Sequence, residues 1–419
     1  MTALIEEIYV CRVCGHNELI DIVNLDKKPL TGVFLKPDEP DPLSAPLNLV
    51  CCTKCKFLQL KHEVKKDLMY SSYYYRSGTN NTMTNHLGGI VEEAIELVDL
   101  KEGDIVIDSG CNDGTLLKFY NNNLKRIGVD PSNAIDEIDD SLGIIKINDF
   151  FYEDNIKKHL NNEKAKIITS ISMFYDISDP TQYVSEIKSM LADDGIWIVE
   201  MNYTGCMIES LGYDMISHEH IAYYTLLSFE YLMKKCEMFI FDVTQNSING
   251  GSIRLFIKKT PGETNNVTQL RNEEIEKGYH TLDVYKDYKK SIENFKHKLL
   301  MLINKLKDDG SSIMGYGAST RGNTIMQHCE LTRNDITAVL DRNPIKYGLE
   351  MSGCRIPIIS EIEGRKANPD YLIILPYYFL DEFIDREIDY LKNGGKFIVF
   401  LPELRILSWE NNELKTKYI

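Results

Sequence analysis

The chain has no apolar run long enough to cross a bilayer, and its first residues, MTALIEEIYVCRV, lack the basic start and apolar centre of a secretory signal. No low-complexity tract interrupts it, which excludes disordered and fibrous classes. Positive charge is scarce: 47 Lys and Arg against 63 Asp and Glu give a net charge of −16. A nucleic-acid groove, which depends on cations displacing counterions, is therefore not expected. A disulfide framework is missing as well. There are ten cysteines, but a chain of 419 residues can bury a core without staples. Four of them form two CxxC pairs, while Cys51, Cys111, Cys206, Cys236, Cys329 and Cys354 are scattered and read as small buried hydrophobes. The expectation is a cytoplasmic protein with neither membrane nor nucleic acid among its partners.

The paired thiols are Cys11-x2-Cys14 and Cys52-x2-Cys55, separated by 37 residues. Two CxxC knuckles can close a tetrahedral site of four thiolates, which suits Zn2+ and leaves no open position. The expected metal is structural zinc. Residues 1–68 carry these pairs between short apolar runs and read as a zinc-binding module.

Residues 69–261 alternate apolar β-branched runs (DIVIDSG, RIGVDPS, AKIITSIS, GIWIVEMNY, GSIRLFIKK) with helical stretches. That alternation predicts a doubly wound, mostly parallel sheet, a Rossmann-like α/β fold. In IVIDSGCNDGTLL the first strand ends at Asp108 and turns through Gly110, Asn112, Asp113 and Gly114. Glycine lets the backbone approach a ligand closely. Asp130 ends the next strand about twenty residues on, where an acid can accept from ribose hydroxyls. The loop lacks GxGxxG, and carboxylates suit a cationic sulfonium, so the expected cofactor is S-adenosyl-L-methionine (SAM).

Loops after the later strands hold FYDISD and YDMISHEHIAYY. In the latter, Glu219 and His220 are side chains readily tuned into general bases near neutral pH, with Tyr223 and Tyr224 close by. HxH metal ligation by His218 and His220 and an ordinary polar surface remain alternatives. Residues 262–419 begin with a helical connector, followed by a second α/β series. There, GYGASTRGN places Ser319, Thr320, Arg321 and Asn323 at a strand-to-helix turn able to present amides to phosphate, and Asp341 ends the next strand.

With these motifs in place (CxxC…CCTKCKFLQL, YYYRSGTNNTM, SGCNDGTLL, YDMISHEHIAYY, NGGSIRLF, GYGASTRGN and VLDRNP), the chain resembles the zinc-containing sugar C-methyltransferases over nearly its whole length. The resemblance implies a zinc module, a class I methyltransferase domain and a C-terminal α/β domain that helps bind a dTDP- or GDP-linked 4-keto-6-deoxysugar, methylated at C-3. It implies catalytic roles for His220, Glu219 and Tyr75. It also implies substrate contacts from Tyr223, Tyr224, Asp176, Asn202, Asn249, Ser319, Thr320, Arg321 and Asn323. Two departures stand out: Asp176 occupies the position of a family histidine, and Ser217 that of a tyrosine before HEH. The expected chemistry is removal of the C-3 proton by His220, oriented by Glu219. A tyrosine, Tyr75 or Tyr223, would donate to the enolate oxygen, and the enolate carbon would attack the SAM methyl group. An O- or N-methyltransferase, a non-catalytic zinc and nucleotide binder, and an NAD-dependent oxidoreductase using the second lobe are the rival readings.

Overall fold

A computed structural model describes residues 4–30, 33–70 and 75–419. Residues 71–74 of the tyrosine-rich segment lie outside them, whereas Tyr75 is inside. The central sheet has seven strands. Numbered in chain order within the sheet, they run 3-2-1-4-5-7-6, from Ile145–Ile147 at one edge to Phe239–Asn246 at the other. The five apolar runs expected as strands fall at Ile105–Ser109, Lys125–Val129, Ala165–Ile171, Leu191–Asn202 and Ser252–Lys258. Ile105–Ser109 is buried throughout because helices cover both sheet faces, which is why it reads as an unbroken apolar run. Only Ser252–Lys258 is antiparallel to the others, lying between Leu191–Asn202 and Phe239–Asn246.

The helix Asn81–Leu97 starts where Asn80 accepts from the amides of Thr82 and Met83. It buries Leu87, Ile90, Val91 and Ala94 on one side. A buried carboxylate, Glu200, fastens it to the sheet by pairing with His86, while Arg254 and Asn246 bond the second oxygen of the same carboxylate.

Residues of the N-terminal segment build a second sheet, Leu19–Pro29, Ser44–Cys52 and Leu58–Leu60. Its fourth strand, Ala222–Tyr223, comes from the middle of the chain and pairs with Gln59 and Leu58. The connector forms helices Asn265–Glu276 and Asp283–Asp308. The long second helix buries Tyr285, Tyr288, Ile292, Phe295 and Leu299 in a core shared with Ile22, Leu47 and Leu49 on one side and Ile373 and Phe400 on the other. A third sheet of seven strands follows, in which Ile313–Tyr316 lies between parallel neighbours Val339–Asp341 and Tyr371–Ile374. No helix among the described residues is long and apolar enough to cross a membrane.

Candidate active site

The thiols of Cys11, Cys14, Cys52 and Cys55 converge: their sulfurs lie within 4.8 Å of one another, with Cys11–Cys55 and Cys14–Cys52 at 3.5 Å. Tetrahedral zinc with bonds of about 2.3 Å sets its sulfurs about 3.8 Å apart, so the donor set fits. Gln59 holds this knuckle from behind, its amide donating to the Val10 carbonyl and accepting from the Arg12 amide. Gln59 is also the residue opposite Ala222, and the Leu60 amide donates to the Ile221 carbonyl. The metal module therefore abuts the segment that carries Glu219 and His220. His218 belongs to the same join: its Nε2 donates to the Ala45 carbonyl at 3.0 Å.

A cavity of about 700 Å3 opens at the carboxyl ends of the central strands, where sites of open α/β sheets form. Asp108, Gly110, Asn112 and Asp130 line it on the cofactor side. Gly110 sits at φ +76°, and a Cβ there would meet Met173 at 2.8 Å, so the turn admits glycine alone without rearrangement. Asp130 pins the loop by accepting from the amides of Asn112 and Ser132, both at 2.8 Å. Burial pushes the Asp108 carboxyl up to about 7, against a hydrogen bond from Thr169 and assisted by the nearby Asp130 charge. Asp113 and Gly114 do not face the cavity. Asp113 accepts from the Gly78 amide at 2.8 Å, and Asn112 accepts from the Ser77 amide and donates to the Tyr75 carbonyl. The loop thus ties residues 75–78 beside itself, and the half-exposed Tyr75 lines the cavity.

Glu219, His220, Asp176, Asn202, Asn249, Thr320 and Arg321 line the same space. The His220 ring packs on Tyr175, with centroids 4.2 Å apart. Burial lowers its pKa to about 4; the hydrogen bond to the Met215 carbonyl opposes the shift and the Arg321 charge adds to it. With its pKa lowered, the imidazole is neutral at neutral pH. Burial pushes Glu219 up to about 7.

The remaining candidates sit elsewhere. Tyr224 is enclosed by Phe57, Phe174 and Phe229. Tyr223 points its hydroxyl at the Met215 carbonyl, 3.5 Å away. Ser319 caps the helix Thr320–His328 by accepting from the Gly322 amide, and the buried Asn323 donates to Ser352. In the second lobe Asp341 accepts from the Ala318 amide and pairs with Lys346.

Two residues were not singled out by sequence. Asp214, whose side chain is wholly buried, pairs with Arg321 at 2.7 Å, and Tyr377 donates to the same carboxylate at 3.0 Å. Arg321 also donates to the Asn249 carbonyl and lies over the Tyr378 ring. The signal was present in part, since Asp214 stands within YDMISHEH, but nothing local marks a partner 107 positions away. Lys66, whose pKa is lowered by burial against the charges of Glu63 and Asp176, also lines the cavity.

A 3-2-1-4-5-7-6 sheet whose first loop is pinned by the acid after the second strand, with an acidic cavity above it, defines a SAM-dependent methyltransferase carrying a structural zinc module. Residues 11–70 match a methyltransferase zinc binding domain, 83–237 a methyltransferase domain, and 247–402 a C-methyltransferase C-terminal domain. The chain is 28% identical to C-methyltransferase NovU of Streptomyces niveus over 98% of its own length and all of that protein. Solved structures are more distant. A SAM-dependent methyltransferase from Clostridium acetobutylicum is 18% identical and covers 42% of this chain and 92% of its own, with a TM-score of 0.34. The plantazolicin methyltransferase BamL, solved with SAH and a triazolic desmethylPZN analogue, is 16% identical and covers 43% of this chain and 87% of its own, also at 0.34. Module by module, the chain is thus similar to SAM-dependent C-methyltransferases with an N-terminal zinc-binding domain.

Proposed function

We propose that this protein methylates C-3 of a nucleotide-linked 4-keto-6-deoxyhexose, with dTDP or GDP as the carrier. The observation that carries this reading is a single cavity lined by the cofactor loop, by Glu219 and His220, and by Thr320 and Arg321 of the C-terminal lobe. A C–H bond beside a ketone is weakly acidic, so the enzyme has to remove the proton and stabilise an enolate. His220 takes the C-3 proton on a ring nitrogen. Glu219, when ionised, orients the imidazole and stabilises its protonated form. Tyr75 donates to the enolate oxygen. SAM supplies an electrophilic methyl group when bound. The residues of this chain hold the two reactants in line, and that proximity replaces an encounter in solution.

Incubation of dTDP- and GDP-linked 4-keto-6-deoxyhexoses with SAM, followed by mass spectrometry, tests the reading. The expected product has gained one methylene unit on carbon. A methyl group found on oxygen or nitrogen, or turnover of a substrate with no ketone, would overturn it. His220→Asn should abolish both methylation and the SAM-independent exchange of the C-3 proton with deuterated solvent.

A further inference from the structure

A second void, of about 10 Å3, shares walls with the main cavity: Tyr175, Asn202, Met215 and His220 line both. Thr204 and Tyr223 line the small one only. Two oxygens of these walls are buried and have no hydrogen-bond partner among the described residues, Asn202 Oδ1 and Thr204 Oγ1. Thr204 itself is 1% exposed. The Tyr223 hydroxyl makes a long bond, 3.5 Å, to the Met215 carbonyl and interacts with the Ser217 backbone. Buried polar atoms are rarely left unpaired. A polar void of about this size, edged by two to four hydrogen-bonding groups, is what an internal water occupies. An apolar gap of equal volume would stay dry, but here three oxygens surround it.

We propose that this void is a built site for one water molecule, which donates to Asn202 Oδ1 and shares a hydrogen bond with each of the Thr204 and Tyr223 hydroxyls. The water ties the end of the strand Leu191–Asn202, and Thr204 just beyond it, to the loop bearing His220. Thr204 is then a positioning residue: it acts on the His220 ring through the water and through Tyr223. This role in catalysis rests on His220 being the base, whereas the water site itself does not.

A crystal structure of the full-length, zinc-loaded protein should show an ordered water within about 3 Å of both the Asn202 and the Thr204 oxygens. A dry void, or one filled by the Met207 side chain, would overturn the proposal. Thr204→Val keeps the shape and removes the hydroxyl; its structure should lose the water, and kcat should fall about tenfold with KM little changed, as small misplacements of a reacting group do. Thr204→Ser should keep both the water and the rate. A valine variant as fast as the wild type, or a serine variant as slow as valine, would remove the positioning role. If no keto-sugar is methylated at all, the two crystal structures still decide whether the water is there.

Discussion

Glu219 and His220 are neighbours in the chain, and burial moves them in opposite directions: the carboxyl up to about 7, the imidazole down to about 4. At neutral pH the ring is therefore unprotonated and able to accept a proton, while the carboxyl is close to half ionised. If the ionised carboxylate is what stabilises the imidazolium, lowering the pH through 7 protonates Glu219 and removes activity long before His220 itself is protonated. The expected pH profile of kcat/KM has its acid limb near 7. In Glu219→Gln that limb should move down towards 4, on a plateau about 10- to 100-fold lower. A wild-type limb near 4 would show that the charge on Glu219 is not required. Tyr75→Phe tests the enolate donor separately: loss of about 3 kcal/mol of transition-state stabilisation corresponds to a drop in kcat of about a hundredfold or more, with SAM affinity unchanged. What chemistry the loops held was legible from residue type, because Asp, Glu and His beside strand ends have few other uses. Which of those side chains point inward was not. Tyr223 ends a short strand and Tyr224 follows it, and packing decides that Tyr224 enters the aromatic cluster while Tyr223 edges the small void.

The strand Ala222–Tyr223 is two residues long, yet it joins the zinc module to the segment bearing Glu219 and His220. No sequence pattern announces so short a strand, whose partner Leu58–Leu60 lies more than 160 positions earlier. The central strands were readable because both faces are buried and the apolar run is continuous. Edge strands such as Ile145–Ile147 and Glu413–Tyr418 were not, since one is three residues long and the other is largely exposed and polar. This join gives zinc a definite consequence. Cys52 ends the strand Ser44–Cys52, whose neighbour Leu58–Leu60 supports Ile221 and Ala222. Structural zinc in small domains carries folding free energy outright, about 10–16 kcal/mol in isolated fingers. Removing the metal, or Cys52→Ser, should lower the melting temperature and abolish methylation. SAM affinity by calorimetry should stay within about threefold, because the cofactor loop belongs to another sheet. Metal analysis should return one zinc per chain. Loss of SAM binding in step with methylation would mean that the module supports the whole protein rather than the catalytic segment.

The central and C-terminal lobes meet at the active cavity, and a buried ion pair crosses between them there. Arg321 opens the helix Thr320–His328 of the C-terminal lobe, whereas Asp214 lies six residues before His220 in the central one. The Asp214 side chain is wholly buried, and the Arg321 side chain is 19% exposed. Removing the cation leaves a buried carboxylate supported only by Tyr377, a change that typically costs about 3–5 kcal/mol. Arg321 also spans Asn249 and Tyr378, and its planar, multiply donating head has no equivalent in lysine. Arg321→Lys keeps the charge and loses that geometry, so the lobes should remain folded but sit less firmly together. The expected kinetic signature is a raised KM for the nucleotide sugar and a reduced kcat, with SAM affinity unaltered, because the residues proposed to hold the cofactor all lie in the central lobe. Asp214→Asn in the same background should cost less than it does in the wild type, since the partner it would have neutralised has already lost its fork. Full additivity of the two substitutions in kcat/KM would show that the pair does not couple the lobes to the base, and that closure of the cavity depends on the shared core around the helix Asp283–Asp308 instead.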